Sequence, residues 1–272
     1  MPKAVVFDKK ELVVAKALSM RAAVFTSLAV ISLLASCTSG PELQKYPRTQ
    51  IERPYTLPKG VATWQTFVPT GYFSDNTSTS FLPPIPIPLV WQSSLSDNWT
   101  LNWVPLPLSV SHQISYSKEQ VWGATFGMGF GYASSLGLVL APTLSLYQRY
   151  KVGTNWALET TPTVSGQYHT KGEPWEWSVG LSSGPLFQLT DTFALTPKVG
   201  VFVERGYRNT DSIADLSVET ENSTQVTVPL SLNAEWSFHR QWDFNATYSF
   251  HRIGHARGYT AHVGLLSLVH YW

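Results

Sequence analysis

The sequence predicts an all-β protein: a transmembrane antiparallel up-and-down β-barrel with about ten strands, within a range of 8–12. Apolar and polar residues alternate over segments of about 10–14 residues, which is the period of a strand and the length that a tilted strand needs to cross a bilayer. Only 14% of the 272 residues are charged, whereas 43% are hydrophobic and 13% aromatic. Much of the surface is therefore expected to face a medium less polar than water.

The alternation is clearest in the carboxy-terminal half. Every second residue from Val226 to Phe238 is apolar, and the residues between them are polar or proline. The pattern resumes from Trp242 to Phe250. Because successive side chains of a strand point to opposite faces, each segment predicts one apolar face and one polar face. Shorter segments with the same pattern lie at residues 126–130, 156–165, 175–182 and 193–204.

The strands of a soluble β-sandwich also alternate between apolar and polar residues, so the composition of the polar faces has to distinguish the two folds. They consist mostly of Ser, Thr, Asn, Gln and Gly and carry few charges, as expected for a crowded lumen. The apolar faces hold no Lys, Arg, Asp or Glu, where a Lys or Arg at mid-membrane would cost about 2–4 kcal/mol. An aromatic girdle is also predicted, from tryptophans near strand ends: Trp156, Trp175, Trp236, Trp242 and Trp272. These features favour the barrel.

The amino-terminal residues look like an export signal. Basic residues precede an uncharged run at 22–36, which is too short to span a bilayer comfortably. The run ends in Leu34-Ala35-Ser36-Cys37, which resembles the lipobox of bacterial lipoproteins. That resemblance implies cleavage before Cys37 and its modification with acyl chains such as palmitate. The alternative is a buried thiol at the end of a core helix.

The chain therefore divides into three parts. Residues 1–36 are predicted to be a lipoprotein signal peptide and residues 37–60 a lipidated flexible tether, because this segment is rich in proline and charge and has no apolar periodicity. Residues 61–272 are predicted to form the barrel.

The last residues support this division. Trp272, with Leu268 and Leu266 at alternate positions before it, resembles the terminal signal of bacterial outer-membrane barrels, although His270 occupies a position where an aromatic or aliphatic residue is usual. The chain as a whole resembles a bacterial outer-membrane β-barrel protein with a lipobox signal peptide. The resemblance implies a location in the outer membrane with a lipid anchor at Cys37. It also implies three partners: the outer-membrane lipid bilayer, the barrel-assembly machinery and the lipoprotein-sorting machinery.

Composition excludes other classes of function. A net charge of +1 is no sign of nucleic-acid binding. A single cysteine excludes a disulfide scaffold and any cysteine-based zinc site, and we expect no metal and no cofactor.

Strand count depends on where the hairpins lie. A short motif of polar residues before an aromatic recurs at 95–101, 152–158, 189–195 and 238–244 and predicts tight turns. Counting back from the carboxy terminus gives eight strands if 121–131 and 138–149 are separate, and a hairpin at 85–111 makes ten. In the alternative route, 121–150 is one long strand and 62–70 restores ten. Longer external connections are expected at 169–174, 205–223 and 252–258.

Seven charged residues fall on predicted lumen faces. They either line a solute path or bind an ion, or they form an internal network of salt bridges that fills the interior. A cluster of histidine and arginine at 251–257 is expected to be a solvated loop, with a metal or phosphate contact as its alternative. The lumen residues are Arg149, Glu159, Glu176, Lys198, Glu204, Glu235 and Asp243.

The predicted function is non-enzymatic: an outer-membrane barrel lipoprotein that serves envelope structure, surface interaction or small-solute passage. The alternative is a barrel enzyme that modifies lipids or peptides, which would need Ser, His and Asp or Glu side chains to converge at one rim. No catalytic residue is predicted, because no local motif pairs them.

Overall fold

A computed structural model describes residues 41–74, 79–82, 84, 87–103, 108–133, 137–170, 175–209, 220–253 and 260–272. The predicted signal peptide and Cys37 lie outside these residues. Among the described residues, no helix has the length and apolar character needed to cross a membrane. The elements are α1 (Pro41–Lys45), a 3₁₀ helix (Gln50–Glu52), β1 (Ala62–Ser74), β2 (Thr79–Leu82), β3 (Ile87–Ser96), β4 (Trp99–Trp103), β5 (Leu108–Tyr116), β6 (Gln120–Ala133), β7 (Gly137–Lys151), β8 (Trp156–His169), β9 (Trp175–Thr190), β10 (Phe193–Asn209), β11 (Thr220–His239), β12 (Trp242–Ile253) and β13 (Thr260–Tyr271).

The strands form one antiparallel sheet that closes on itself. From β3 to β13 each strand pairs with the next one along the chain, and β13 pairs with β1 through twelve residue pairs from Thr63–Tyr271 to Ser74–Thr260. On its other side β1 pairs with β2 through residues 71–74 and with β3 through residues 62–67. Since β2 and β3 share one place in the wall, the barrel has twelve strands. The predicted all-β up-and-down barrel is confirmed.

The predicted count of ten was wrong, although twelve lies within the predicted range. The eight carboxy-terminal strands are β6 to β13, with 121–150 divided between β6 and β7. The error lies upstream, where residues 62–70 belong to β1 and residues 85–111 contribute to three strands. One of these, β4, is five residues long, which is too short for a periodic pattern to reveal.

One end of the barrel carries all the described tight turns. They join β3–β4, β5–β6, β7–β8, β9–β10 and β11–β12 at residues 97–98, 117–119, 152–155, 191–192 and 240–241. Because strand direction alternates, the start of β1 and the end of β13 lie at this end too. We call it the turn end. Four of these turns are the recurring sequence motif.

Side chains divide between the two faces of the wall as the alternation predicts. The apolar rows point outward, where Phe126, Val201 and Leu230 are 53%, 51% and 48% exposed. The alternate positions, such as Thr196 and Thr227, point inward and are buried. A soluble sandwich would pack the apolar rows against one another, so this arrangement contradicts that alternative.

An aromatic cluster covers the outer face where the barrel closes. Trp64 of β1 and His270 of β13 are almost fully buried there. The His270 ring lies 4.3 Å from Trp242 and 5.8 Å from both Trp64 and Trp272, and Trp91 packs edge-on against Trp272 at 5.1 Å. His270 thus takes part in aromatic packing at the position where outer-membrane barrels usually carry an aromatic or aliphatic residue.

Residues 41–60, which we call the plug segment, lie against the inside of the wall at the turn end. Leu43 and Leu57 pack in one buried cluster with Val269 of β13, and Ile51 packs in another with Leu186 of β9. The sequence predicts a flexible tether here. The structure differs because the few apolar side chains of this segment find inward-facing apolar partners on the wall.

A lysine on the outer face tests which side of the wall faces lipid. We expect Val164→Lys to destabilise the barrel in lipid vesicles by about 2–4 kcal/mol, because a charged side chain would enter hydrocarbon. Val164 is 49% exposed and pairs with the outward residues Leu144 and Val179. The matched control is Ser165→Lys, one residue along, which places the charge in the lumen. Equal losses of unfolding free energy in a urea titration would contradict the assignment.

Candidate functional site

The lumen contains a polar cavity of about 370 Å³ next to the plug segment. The plug segment and inward-facing wall positions both line it. Five of the seven predicted lumen residues meet there: Arg149, Glu159, Lys198, Glu235 and Asp243. The other two do not. Glu176 stands near the start of β9, and Glu204, near the far end of β10, accepts a hydrogen bond from Ser178 Oγ at 3.5 Å.

Arg53 of the plug segment makes the densest set of contacts in the cavity. Its guanidinium binds both carboxylate oxygens of Asp243 on β12 and donates to Ser237 Oγ on β11 at 2.7 Å. It also donates to the Tyr271 hydroxyl at 3.3 Å, and this hydroxyl donates to Asp243 at 2.7 Å. The ring of Tyr46 lies 5.2 Å from the guanidinium carbon. One plug side chain is thereby held by three neighbouring strands.

The ion pair of Arg53 and Asp243 affects stability strongly because it is buried. Their side chains are 10% and 3% exposed. A buried ion pair stabilises a fold no more than apolar residues of similar volume would. Removing one partner, however, lowers the free energy of unfolding by about 3–5 kcal/mol, because the other charge stays buried without a counter-charge. The wall therefore holds the plug most strongly when both charges are present.

Glu159 of β8 forms a second charged group. It accepts from Lys198 Nζ at 2.7 Å and from the Tyr147 hydroxyl at 2.5 Å. Lys198 stands two strands away, and Gly184 of β9 lies between them. A Cβ at Gly184 would come within 1.9 Å of the Pro197 carbonyl oxygen and 2.8 Å of Lys198 Cα. The glycine therefore allows this close approach of β9 and β10 beside the ion pair.

Arg149 of β7 binds the plug rather than a carboxylate in the cavity. Its guanidinium donates to the carbonyl oxygen of Gln50 at 2.6 Å and to that of Arg53. Glu235, also lining the cavity, accepts from Asn233 Nδ2 at 2.7 Å. Two arginines thus join the wall and the plug. Arg53 of the plug binds Asp243 of the wall, and Arg149 of the wall binds backbone carbonyl oxygens of the plug.

Tyr55 fits a socket on the wall. Its ring stacks on Tyr147 at 4.9 Å and lies where a side chain on Gly123 would stand, since a Cβ there would meet the ring at 2.0 Å. Its hydroxyl lies 2.5 Å from Thr125 Oγ1, and its backbone N–H donates to Gln113 Oε1 at 2.8 Å. Burial raises the pKa of the Tyr55 phenol, so it stays neutral at physiological pH.

Further hydrogen bonds tie the plug segment around the turn end. They reach strands and turns on several sides of the lumen, so the segment crosses the opening. They are Arg240–Gln44 O (2.6 Å), Arg48–Ser237 O (2.6 Å), Gln188 Oε1–Ile51 N (3.3 Å), Tyr116–Glu52 O (2.8 Å), Thr56–Asp97 O (2.8 Å) and Thr100 Oγ1–Leu57 N (2.9 Å).

The sequence did not identify Arg53 and Tyr55 as functional residues, because the plug segment has no periodic pattern of apolar residues. A signal was nevertheless present: Leu43, Ile51 and Leu57 are more apolar than a solvated linker requires. Cys37 and most of the histidine- and arginine-rich segment at 251–257 lie outside the described residues or side chains.

The chemistry of the cavity is ionic and hydrogen-bonding. Asp243 faces Arg53 and Tyr271, and Glu159 faces Lys198 and Tyr147. Neither carboxylate is engaged by histidine in these contacts. Within the described part of the chain, no three His, Cys, Asp or Glu side chains are grouped so as to hold a metal ion.

No protein-family model and no curated protein matches this sequence. Solved structures match its fold. An outer-membrane channel from Pseudomonas putida F1 superposes with a TM-score of 0.53 at 13% identity, over 80% of this chain and 97% of the channel. The toluene transporter TodX of Pseudomonas putida has a TM-score of 0.42 at 8% identity (86% and 94% covered), and the NanC porin 0.45 at 10% (75% and 98%). The likeness to the channel shows a shared barrel fold.

The Tyr55 socket makes a matched pair of glycine variants informative. We expect Gly123→Ala to expel the Tyr55 ring and to expose the plug segment to trypsin after Lys45 and Arg48. Gly127→Ala is the control, because a Cβ there meets nothing closer than Ser109 Cβ at 3.4 Å. Edman or mass-spectrometric analysis of a short digestion measures the cleavage. If both variants are cut at the wild-type rate, Tyr55 is not held in this socket.

Proposed function

We propose that this protein is an outer-membrane β-barrel lipoprotein that passes small solutes through its lumen and is closed by its own plug segment. One observation carries the proposal. The obstruction at the turn end is residues 41–60, which are not part of the wall and are joined to it by side-chain contacts. If wall side chains alone filled the lumen, the barrel could not open by the withdrawal of a segment.

The width of the barrel supports a passage. Eight strands enclose an interior that side chains fill, whereas 16–18 strands leave an aqueous channel. Twelve strands lie between these sizes. Here the lumen accommodates a chain segment and still holds a cavity of about 370 Å³.

The outer face supports the location. Its exposed apolar rows suit hydrocarbon, and the pairing of β1 with β13 closes the sheet, so the backbone groups of these two strands bond to each other where lipid would not satisfy them. By the resemblance to outer-membrane barrels, the short turns face the periplasm. The bilayer, the barrel-assembly machinery and the lipoprotein-sorting machinery remain the proposed partners.

The plug segment fits a lipid anchor at Cys37. Gln44 is held by Arg240 in the β11–β12 turn, so the chain is at the turn end seven residues after Cys37. Seven extended residues span at most about 25 Å. With a lipid anchor at Cys37, the plug would be tied to the membrane through its amino-terminal end and to β1 through its carboxy-terminal end.

The enzyme alternative has less support. Catalysis of acyl transfer needs a nucleophile, a histidine base and an orienting carboxylate in contact. Of the two most buried carboxylates of the cavity, Asp243 instead binds Arg53 of the plug, and Glu159 binds Lys198 and Tyr147 of the wall.

Conductance in planar bilayers tests the passage. We expect the wild-type protein to be mostly silent and the full-length variant with Arg53→Gln and Tyr55→Ala to show steady single-channel steps, because the charged anchor and the aromatic anchor of the plug are lost. Lys45→Gln in the same segment is the control, since Lys45 is exposed and pairs with Glu42. Heat-modifiable gel migration verifies that each barrel is folded. A folded double variant that trypsin cleaves in the plug segment faster than the wild type, and that still stays silent, would refute the passage.

Palmitate labelling tests the anchor separately. We expect the wild-type protein expressed in a Gram-negative host to incorporate labelled palmitate and Cys37→Ser to lose the label. The folded barrel should persist in the variant, because the strands of the wall begin at Ala62. Label retained in Cys37→Ser would show that Cys37 is not the lipidated residue.

A further inference from the structure

Resting on the proposed passage, we infer that the open lumen selects cations over anions. The inference comes from the charges that the wall keeps when the plug segment withdraws. It names the class of solute that the passage admits, which the fold alone does not.

The wall carries more negative than positive charge toward the lumen. Among strand residues whose side chains the structure describes, five carboxylates and three cations lie on inward positions. One of the cations, Lys151, is at the turn-end rim and pairs with Glu52 of the plug at 3.8 Å. The carboxylates are Glu159, Glu176, Glu204, Glu235 and Asp243, and the cations are Arg149, Lys151 and Lys198.

The plug neutralises part of this excess. In the closed lumen Arg53 binds the Asp243 carboxylate through both oxygens. When the plug leaves, its guanidinium leaves with it. Asp243 then keeps the neutral partner Tyr271, and Glu235 keeps the neutral partner Asn233.

The two inner wall cations lie around a different carboxylate. Lys198 is bonded to Glu159, and Arg149 faces Glu159 directly in the register of β7 with β8. Once Arg149 releases the plug carbonyls, Glu159 is its adjacent partner. The cations therefore lie on β7 and β10 around Glu159 of β8, whereas Glu235 and Asp243 stand on β11 and β12 with a surplus of negative charge.

A narrow lumen amplifies this surplus. Low-dielectric walls focus the field of fixed charges onto the passage, and rings of Asp or Glu favour cations in channels. A permeating cation then replaces the guanidinium that held Asp243 in the closed state.

The reversal potential of the double variant Arg53→Gln and Tyr55→Ala in a KCl gradient tests the inference. We expect a potential with the sign of K⁺ permeation. Adding Glu235→Gln and Asp243→Asn should reduce it severalfold. Adding Asp191→Asn, which removes a charge from the exposed β9–β10 turn, should leave it unchanged.

The outcomes separate the two proposals. A folded double variant whose plug segment is released, as trypsin cleavage shows, but which does not conduct overturns the passage. A conducting variant whose reversal potential is zero, or has the sign of Cl⁻ permeation, overturns the cation preference and leaves the passage standing. If Asp191→Asn lowers the potential as much as the two lumen substitutions do, the selectivity does not arise from Glu235 and Asp243.

Discussion

Closure of the sheet is the constraint on which the rest of this structure depends. A wall that faces lipid must pair its backbone groups within itself, because hydrocarbon offers no hydrogen bonds. Here β1 and β13 meet over twelve residue pairs, and even the strand interrupted between β2 and β3 remains paired with β1 on both sides of the break. The outward rows are then free to be apolar and the inward rows polar. A polar interior is in turn what allows the chain to place arginines and carboxylates inside it.

Those interior charges explain why plug and wall are matched so closely. An isolated carboxylate is costly in a confined lumen, and Asp243 is 2% exposed. Arg53 brings the opposite charge from a segment outside the wall, while Arg149 binds the carbonyl oxygens of Gln50 and Arg53 in and just after the 3₁₀ helix. Tyr55 adds a shape requirement, since its ring occupies space that any residue larger than glycine at position 123 would fill. The ion pair and the fit of the Tyr55 ring together specify one position of the plug segment in the lumen.

The sequence predicted what is periodic and missed what is not. Residues 226–250 alternate because each side chain faces either the outside or the lumen, and this pattern sufficed for the fold class. Parity gives the side of the wall and not the height along it, so Glu176 and Glu204 could not be separated from the five residues of the cavity. The pairing of Arg53 with Asp243 joins positions 190 residues apart, and no local pattern encodes such a contact. β4 escaped notice because five residues are too few to establish a period.

The origin of the groups that hold Arg53 has a consequence for biogenesis. Ser237, Asp243 and Tyr271 belong to β11, β12 and β13, which a ribosome makes and an exporter delivers last, whereas Arg53 belongs to the part that emerges first. The receiving pocket does not exist until the carboxy terminus has arrived and met β1. The plug segment can therefore bind its place in the lumen only when the barrel closes.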